Sequence, residues 1–390
     1  MVSGSELQFE MVAKTFHGLE EILAGEIKAL GGQDIEILNR AVRFRGNKAS
    51  LYKMNLYLRT ALRILIPVIQ TQIKNQVDLY ARVREFEWEK YLQPGMTLAV
   101  DSFLNSSVFT NSQFVSLRAK DAIVDRLRDK YKRRPSISKT DPDLFINVHL
   151  TSNQLTVSID TSGQSLHKRG YRISNFEAPL NEVLAAGLIM LTGWKGENDF
   201  FDPMCGSGTL GIEAALIARE IPPGIFRKKF GFEKSPGFDA HLMEDIFDNI
   251  QEKKWEGKVY SSDISKQALQ IAIKNAKQAS VHKNIVFRGL DFKDYPKIAD
   301  KAMVIINPPY GQRMVKSEII RFYKSIGDVM KKSFEGAEVW IISSNLEALK
   351  HIGLKPDSKY KLFNGALECR FNRYYIYPGS KKRLHEGEMI

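Results

Sequence analysis

Two patterns of apolar and polar positions divide the chain. From about Asp199 onward, short apolar runs alternate with stretches of helical periodicity, as in a parallel sheet with crossover helices. The predicted strands span residues 199–201, 258–262, 284–290, 302–307 and 338–344. Two further apolar runs flank Asn364-Gly365, a pair typical of hairpin turns. The C-terminal half is therefore predicted to be an α/β domain of seven strands, closed by an antiparallel hairpin.

The first 165 residues have shorter and more mixed elements, which are typical of an α+β region. Amphipathic helices are predicted over residues 18–32, ended by Gly31-Gly32, and over residues 51–69, ended by Pro67. A third helix is predicted from Ser112, and its apolar positions recur at four-residue steps: Val115, Ala119, Ile123, Leu127 and Tyr131. The polar stretch 162–182 is predicted to join the two regions.

Composition restricts the class of protein. The chain of 390 residues is long enough for two or three domains, and 57 Lys and Arg against 45 Asp and Glu give it a formal charge of +12. That charge favours an anionic partner such as nucleic acid. Cys205 and Cys369 are too few for a disulfide framework or a structural zinc site. With no signal-peptide pattern and no bilayer-length apolar run, we expect a cytoplasmic protein.

Basic residues concentrate on and beyond the third helix. Between Gln113 and Lys139 there are nine basic and three acidic residues. A solvated helix face is the simpler interpretation of such a run, but its continuation past the helix favours a surface that contacts phosphates. The predicted phosphate contacts are Arg118, Arg126, Lys130, Lys132, Arg133 and Arg134.

The first strand of the C-terminal half ends in "DPMCGSGT", residues 202–209, before a helical stretch. Glycines at 206 and 208 allow the backbone to approach a ligand closely, which with Asp202 predicts a nucleotide-type site. A dinucleotide site would instead need three glycines and an acid about 20 residues further on. The next strand-terminal acid, Asp263, lies 61 positions after Asp202, so residues 220–256 are inserted between them. The aromatic and basic residues of this insertion fit either a cover over a cleft or packing on the sheet.

Two more acids follow predicted strands. Asp263 ends the second strand and can accept hydrogen bonds from ribose hydroxyls, and Asp291 follows the third strand, where it can accept from an adenine amine. Each acid alone is more often a helix or turn cap. Together with Asp202 and the glycine loop, they favour a site for ribose and adenine.

The fourth strand runs into Asn307-Pro308-Pro309-Tyr310. The exocyclic amine of a base is a poor nucleophile because its lone pair is delocalised into the ring. If the side-chain carbonyl of Asn307 and the backbone carbonyl of Pro308 accept its N–H bonds, the nitrogen becomes more reactive toward a methyl donor. The prolines would hold these carbonyls rigidly, and Tyr310 would offer a face to an extruded base. A rigid turn is the alternative interpretation.

This chemistry requires neither a metal nor a covalent nucleophile. The sequence contains no His/Cys cluster for a metal, and Cys205 lies in the glycine loop rather than at the end of the fourth strand. We therefore predict that the site contains no metal.

In their order along the chain, "DPMCGSGT", "SSDIS", "GLDF" and "NPPYGQR" resemble the motifs of class I S-adenosylmethionine-dependent N-methyltransferases. Together with "IDTSGQSLHKRGYR" and "APLNEVLAAGLI", the pattern is similar to THUMP-domain RNA methyltransferases related to the bacterial 23S rRNA guanine-N2 methyltransferase. This resemblance implies a ferredoxin-like segment (1–60), an overlapping THUMP RNA-binding domain (45–165) and a Rossmann-like methyltransferase domain (166–390).

The resemblance also implies roles for particular residues. The cofactor would be S-adenosyl-L-methionine, held by Asp202, Pro203, Cys205, Gly206, Ser207, Gly208, Thr209, Asp263, Ile264, Asp291, Phe292 and Asn307. The catalytic residues at the target guanine would be Asn307, Pro308, Pro309 and Tyr310. Between the two regions, the RNA backbone would be contacted by Lys168, Arg169 and Arg172.

Three functional hypotheses remain open. The leading one is an RNA guanine-N2 methyltransferase acting on 23S rRNA, either as RNA or in a ribosomal precursor particle, or alternatively on tRNA. The second is a DNA adenine-N6 methyltransferase, whose target-recognition domain usually follows the catalytic part, whereas only about a dozen residues follow the last strand here. For the same reason we expect no second methyltransferase domain. The third is a non-catalytic RNA-binding assembly factor, which the intact glycines, acids and "NPPY" disfavour.

Overall fold

The computed structural model describes residues 7–106, 109–173, 180–298, 301–310 and 315–377. Up to residue 160 its elements are β1 (Phe9–Lys14), α1 (Glu20–Ala29), β2 (Gln33–Leu38), β3 (Ala41–Gly46), α2 (Lys48–Tyr57), β4 (Arg63–Gln72), α3 (Gln76–Glu85), β5 (Thr97–Asn105), α4 (Ser112–Tyr131), β6 (Ser136–Ile137), β7 (Leu144–Thr151) and β8 (Gln154–Asp160). They are followed by α5 (Glu182–Thr192), β9 (Phe200–Asp202), α6 (Thr209–Ala218), α7 (Ala240–Asp248), β10 (Val259–Asp263), α8 (Lys266–Gln278), β11 (Ile285–Gly289), β12 (Met303–Ile306), α9 (Lys316–Ser333), β13 (Glu338–Ser343), α10 (Leu346–Leu349), β14 (Ser358–Asn364) and β15 (Leu367–Tyr375).

The chain divides into two compact units that exchange short segments. The first unit comprises Met1–Thr15, Leu23–Lys168 and Arg227–Ile250. The second comprises Phe16–Ile22, Arg169–Phe226 and Gln251–Ile390. The main crossing, between residues 168 and 169, lies within the stretch that the sequence predicts as the joint. Residues 174–179 of that stretch lie outside the described residues.

The first unit is built on an eight-stranded sheet in the order β2-β3-β1-β4-β8-β7-β5-β6. Pairing is antiparallel except at β5, which runs parallel to both β6 and β7. The third predicted helix is confirmed as α4. Its side chains at 115, 119, 123 and 127 are buried in the core of this unit, whereas Tyr131 is only partly buried.

The predicted helix over residues 51–69 is wrong in its second half. Helix α2 ends at Tyr57, and Arg63–Gln72 forms β4 between β1 and β8. Pro67 stands inside this strand, where a bulge between Pro67 and Ile69 shifts the register with β8. A bulge accommodates proline because proline has no N–H to donate to the ladder. The β-branched residues around Pro67 indicate a strand, but the apolar run that continues from α2 conceals the boundary.

Residues 227–250 of the inserted segment belong to the first unit. The ring of Phe232 stacks on Tyr52 with centroids 4.3 Å apart. The Tyr52 hydroxyl accepts a hydrogen bond of 3.0 Å from the backbone N–H of Asp239, which caps α7. Packing on the parallel sheet is therefore wrong for residues 227–250 but holds for Phe226, which packs against a core of that sheet, and the cover over a cleft stays a prediction.

The second unit contains the predicted seven-stranded sheet, in the order β11-β10-β9-β12-β13-β15-β14. The first five strands are parallel, and β15 lies antiparallel between β13 and β14. Alternate residues of these strands enter two separate cores, with Phe200 and Ile305 on one face and Phe201 and Val304 on the other. Helices α5, α6 and α8 contribute to the first core, and α9 contributes to the second. The predicted α/β architecture is confirmed.

Within the described part of the chain, no helix is both long enough and apolar enough to cross a membrane.

Close packing leaves no room for a side chain at one helical glycine of the second unit. A Cβ at Gly327 in α9 would lie 1.8 Å from the carbonyl oxygen of Ile352, whereas a Cβ at Gly25 in α1 would meet no described heavy atom within 4 Å. We predict that Gly327→Ala lowers the free energy of unfolding by about 1–3 kcal/mol through overpacking. The matched control Gly25→Ala should raise it by about 0.5–1 kcal/mol. Differential scanning calorimetry measures both; a harmless Gly327→Ala would contradict the packing.

Candidate active site at the carboxyl ends of the parallel strands

Three of the predicted site residues lie at one edge of the second unit's sheet. Asp202 ends β9, Asp263 ends β10 and Asn307 follows β12. Strand β9 pairs in parallel with both neighbours, β10 and β12. The carboxyl ends of parallel strands meet at the same edge, which is where α/β sheets bind ligands. The structure therefore brings these side chains together.

The glycine loop, residues 203–208, connects β9 to α6. Gly206 and Gly208 have φ angles of +53° and +82°, a left-handed conformation that favours glycine. A Cβ at Gly208 would also lie 2.9 Å from the Cβ of Ala272 on α8. The loop is joined to β10 because the N–H of Cys205 donates to the carbonyl of Ser262 at 2.9 Å. Burial raises the pKa of the Cys205 thiol well above its usual range, so this thiol is not a nucleophile.

Asp263 connects the glycine loop to the start of α8. Its Oδ2 accepts from the N–H of Gly206 at 2.9 Å, and its Oδ1 accepts from the N–H of Ser265 at 2.8 Å. Each carboxylate oxygen can accept a second bond, so the group can still receive ribose hydroxyls. Beside it, the apolar side chain of Ile264 is 73% exposed.

Asp202 is fully buried at the base of the loop. Its Oδ2 accepts a hydrogen bond of 3.3 Å from the N–H of Gly211, but its Oδ1 has no partner among the described residues. Loss of solvation raises the pKa of Asp202 to about 8, and the nearby Asp263 adds to the increase. A buried acceptor without a donor is costly, and a ligand that donates to it would remove that cost.

Asp291 and Phe292 have local structural roles. The Asp291 carboxylate accepts from the N–H of Lys293 at 3.0 Å and caps a short turn, Phe292–Asp294. The ring of Phe292 is 5% exposed and packs in the core beside Phe334. A ligand contact by Phe292 would therefore use its backbone rather than its ring.

The "NPPY" segment is fixed by hydrogen bonds. The Tyr310 hydroxyl donates to Oδ1 of Asn307 at 3.1 Å, and Asn345 donates to the Tyr310 carbonyl at 3.2 Å. The Tyr323 hydroxyl donates to the carbonyl of Pro309 at 3.5 Å, and burial raises the pKa of Tyr323 to about 12. These bonds set the orientation of the Asn307 amide. Gly311 to Arg313 lie outside the described residues.

Tyr310 has a structural role besides the one predicted for it. The ring packs against the core of buried residues beside α5 and α6, and burial raises the pKa of its hydroxyl. A second amide, Asn364 on β14, donates to that hydroxyl at 3.4 Å. Tyr310 therefore orients Asn307, and because its ring is only partly buried, stacking on a base stays a prediction. The sequence could not show this, because Asn364 is 54 positions away.

Two predicted RNA contacts lie inside the second unit. Arg169 is 2% exposed, with its Nε 3.7 Å from Oε1 of Glu213. Arg172 donates to the side chains of Ser207 and Thr209, both of which belong to the predicted cofactor site. As placed, neither guanidinium is available to an RNA phosphate, which corrects both predictions.

Some residues of the basic cluster in the first unit also interact with neighbouring side chains of the protein. Arg126 donates two hydrogen bonds of 2.8 Å to Glu89, and these lower the pKa of Glu89 to about 2. The guanidinium of Arg118 lies 4.2 Å from the ring centre of Tyr80 on α3. These contacts pack α4 against its neighbours, which corrects the RNA contact predicted for Arg126. The exposed residues of the predicted set are Lys130, Lys132, Arg133, Arg134 and Lys168.

A search of the described residues finds no group of three or more His, Cys, Asp or Glu side chains able to bind a metal ion.

Comparison with protein families identifies three consecutive regions. The RlmL ferredoxin-like domain matches residues 10–65, the THUMP domain matches residues 74–160, and the RMKL-like methyltransferase domain matches residues 169–373. The last match covers more than half of the 390 residues and includes the whole glycine loop and "NPPY".

Individual proteins resemble the chain over nearly its full length. The "Putative RNA methyltransferase slr0064" of Synechocystis sp. is 36% identical over 369 residues, covering 94% of this chain and 96% of that protein. The "Ribosomal RNA large subunit methyltransferase K/L" of Shewanella frigidimarina is 36% identical over 383 residues. That alignment covers 96% of this chain but 54% of the relative, so the chain spans about half of its length. Among solved structures, SMU.472, "a putative methyltransferase complexed with SAH", has a TM-score of 0.84 at 30% identity and covers 96% of this chain and 99% of its own.

The raised pKa of Asp202 predicts a pH-dependent stability. A carboxyl whose pKa is higher in the folded state, about 8 against a usual 3.8, stabilises the fold at low pH. This contribution is lost as the pH rises toward 8. Asp202→Asn cannot ionise, so the stability of the variant relative to wild type should increase from pH 5 to pH 8. The expected gain is at least about 1.4 kcal/mol, the free energy of one pKa unit. Denaturant unfolding of cofactor-free protein measures it, and a pH-independent difference would contradict the assignment.

Proposed function

Since the chain belongs to the RMKL-like methyltransferase family, we propose that it methylates the exocyclic N2 of a guanine in large-subunit ribosomal RNA. The family assignment confirms the resemblance indicated by the sequence motifs. The observation that carries the proposal is the oriented carbonyl of Asn307, at the same sheet edge as the glycine loop.

S-adenosyl-L-methionine is the methyl donor, and the residues at the sheet edge fit it. Two left-handed glycines leave the loop backbone open to the methionine portion, and Oδ1 of Asp202, which has no partner among the described residues, can accept a hydrogen bond. Asp263, with the exposed Ile264 beside it, is suited to the ribose and the adjoining adenine. The carboxylate of Asp291 would accept from the adenine amine. The cofactor supplies an electrophilic methyl group on a positively charged sulfur.

Asn307 would activate the target amine. Its Oδ1 already accepts one hydrogen bond from Tyr310, which leaves a second acceptor position for an N–H of the guanine amine. Accepting this hydrogen bond increases the electron density on the nitrogen, and it stabilises the positive charge that develops there during methyl transfer. The Pro308 carbonyl would accept the second N–H. No atom of this arrangement needs to become covalently attached to the base.

RNA binding is assigned to the first unit. The residues that match the THUMP model include α4 and the chain that follows it. Lys130, Lys132, Arg133 and Arg134 are exposed at the carboxyl end of α4. We propose these four, together with Lys168, as phosphate contacts, because exposed cations can release the counterions of RNA. The THUMP fold recognises RNA shape and backbone more than base sequence.

The choice of ribosomal RNA rests on the relatives. Proteins named as methyltransferases of large-subunit ribosomal RNA share 35–37% identity with this chain over most of its length. They support 23S rRNA over tRNA or DNA as the polymer.

We predict that Asn307→Ala abolishes formation of N2-methylguanosine at one 23S rRNA position. Cells lacking the gene would be complemented with wild type, Asn307→Ala or the control Asn284→Ala. Asn284 precedes β11, at the opposite edge of the same sheet, and donates to the backbone of Trp255. Mass spectrometry of nucleosides from rRNA, tRNA and DNA is the measurement. Loss of the mark only in tRNA, or loss of N6-methyladenine from DNA, would contradict the proposed substrate.

A second prediction concerns the salt dependence of RNA affinity. The triple variant Lys132→Gln, Arg133→Gln, Arg134→Gln should reduce the slope of log affinity against log salt concentration by about 1 for each phosphate contact removed. The control Arg126→Gln should leave the slope unchanged, because its guanidinium is already paired with Glu89. Filter binding or fluorescence anisotropy at several salt concentrations measures the slope. An unchanged slope in the triple variant would make this surface a solvated helix end.

A further inference from the structure

Residues 169–173, which follow the crossing point between the units, form hydrogen bonds to the proposed cofactor site and its supporting helices. These bonds are not apparent from the sequence motifs of the site. The chain enters the second unit at Arg169. Within the next four residues, two side chains and one backbone N–H reach the glycine loop, α6 or α8.

Arg172 makes the largest number of these bonds. Its Nε donates to Glu182 at 2.7 Å, and its Nη1 donates to the Ser207 hydroxyl at 3.3 Å. Its Nη2 donates to the Thr209 hydroxyl at 3.0 Å and to the Leu180 carbonyl at 3.1 Å. The side chain is 15% exposed. One guanidinium thus connects the start of α5, the glycine loop and the first residue of α6.

Asn275 connects the following residue to the same loop. The N–H of Ile173 donates to Oδ1 of Asn275 at 3.0 Å, and Nδ2 of Asn275 donates to the Ser207 carbonyl at 3.2 Å. Asn275 lies on α8 and is 1% exposed. Ser207 is therefore bonded at its hydroxyl by Arg172 and at its carbonyl by Asn275.

A third set of contacts fixes the segment itself. The Tyr171 hydroxyl donates to Oε1 of Glu213 at 2.9 Å, and the guanidinium of Arg169 lies beside the same oxygen. Glu213 is on α6, one turn after Thr209, and all three side chains are buried. A buried charge is tolerated only when it is paired, so this arrangement restricts where the segment can lie.

The glycine loop needs such external support. Helix α6 begins at Thr209, and its N-cap residue, Gly208, has no side chain to cap the free N–H groups of the first turn. Glycine also has more conformational freedom than other residues, so its left-handed geometry must be maintained by neighbours. Arg172 and Asn275 bond the loop from two sides.

We propose that Arg172 is a positioning residue for methyl transfer. With Asn275 it holds the glycine loop in the conformation that binds S-adenosyl-L-methionine, and it is not an RNA contact. This inference rests on the proposed function, since it takes the loop to be the cofactor site.

Arg172→Gln in the full chain tests the assignment. Loss of a charged donor should weaken S-adenosyl-L-methionine binding by about 10- to 100-fold by isothermal titration calorimetry. RNA affinity and its salt slope should remain those of wild type. In methylation assays the KM for the cofactor should rise much more than kcat falls. Arg172→Lys should recover only part of the affinity, because an ammonium cannot reproduce the planar fork of a guanidinium.

The matched control is Arg219→Gln. Arg219 caps the opposite end of α6, pairs with Glu252 and donates to the Ser280 carbonyl at 3.0 Å. Its substitution should leave cofactor affinity unchanged. If Arg172→Gln does not fold, Glu182→Gln removes the charge that pairs with the guanidinium without altering the loop, and it should still raise the KM for the cofactor.

Two results would overturn the proposal. Cofactor affinity of Arg172→Gln within about twofold of wild type would remove the positioning role while leaving the proposed function intact. A reduced salt slope for RNA in that variant, with unchanged cofactor affinity, would restore Arg172 as a phosphate contact. Absence of cofactor binding by the wild-type chain would instead contradict the proposed function, and this inference with it.

Discussion

The parallel pairing of β9 with β10 and β12 is the constraint on which the rest of the site depends. Parallel strands end at the same edge, so Asp202, Asp263 and Asn307 converge although they span more than a hundred positions of sequence. The helices that return the chain lie on the faces of the sheet, which leaves this edge to loops. The short connection from β9 to α6 at this edge contains two left-handed glycines, which leave its backbone accessible to a ligand.

Hydrogen bonds of buried polar groups fix the geometry at this edge of the sheet. Asn275 and Glu213 are buried and Arg172 is mostly buried, so each must find partners inside the unit. Partners of Arg172 and Asn275 lie on the glycine loop, and Glu213 is bonded by Tyr171. The same principle orients Asn307, whose carbonyl is bonded by the buried hydroxyl of Tyr310. Asp202 departs from it, because one of its oxygens has no partner among the described residues. The hydrogen-bonded groups therefore maintain the structure of the site, whereas this oxygen of Asp202 is available to a ligand.

The basic residues of the first unit fall into two classes that composition cannot separate. Arg118 lies against the ring of Tyr80 on α3, and Arg126 pairs with the carboxylate of Glu89 in the turn that follows α3. Lys132, Arg133 and Arg134 lie beyond the end of α4 and are exposed. The number of basic residues in this region therefore overstates the surface available to RNA, because Arg118 and Arg126 pack α4 against its neighbours.

Local spacing was sufficient for much of this protein. The seven strands, the apolar face of α4, the left-handed glycines and the order of acids and "NPPY" follow from periodicities and turn residues that act over a few positions. Tertiary structure alone decided that residues 63–72 form a strand and that residues 227–250 join the first unit. It also decided that Arg169 is buried and that Arg172 and Tyr310 form hydrogen bonds within the second unit. The physical reason is that the orientation of a charged or aromatic side chain depends on the partner that it contacts. Those partners, Glu213, Ser207 and Asn364, are brought close only by folding.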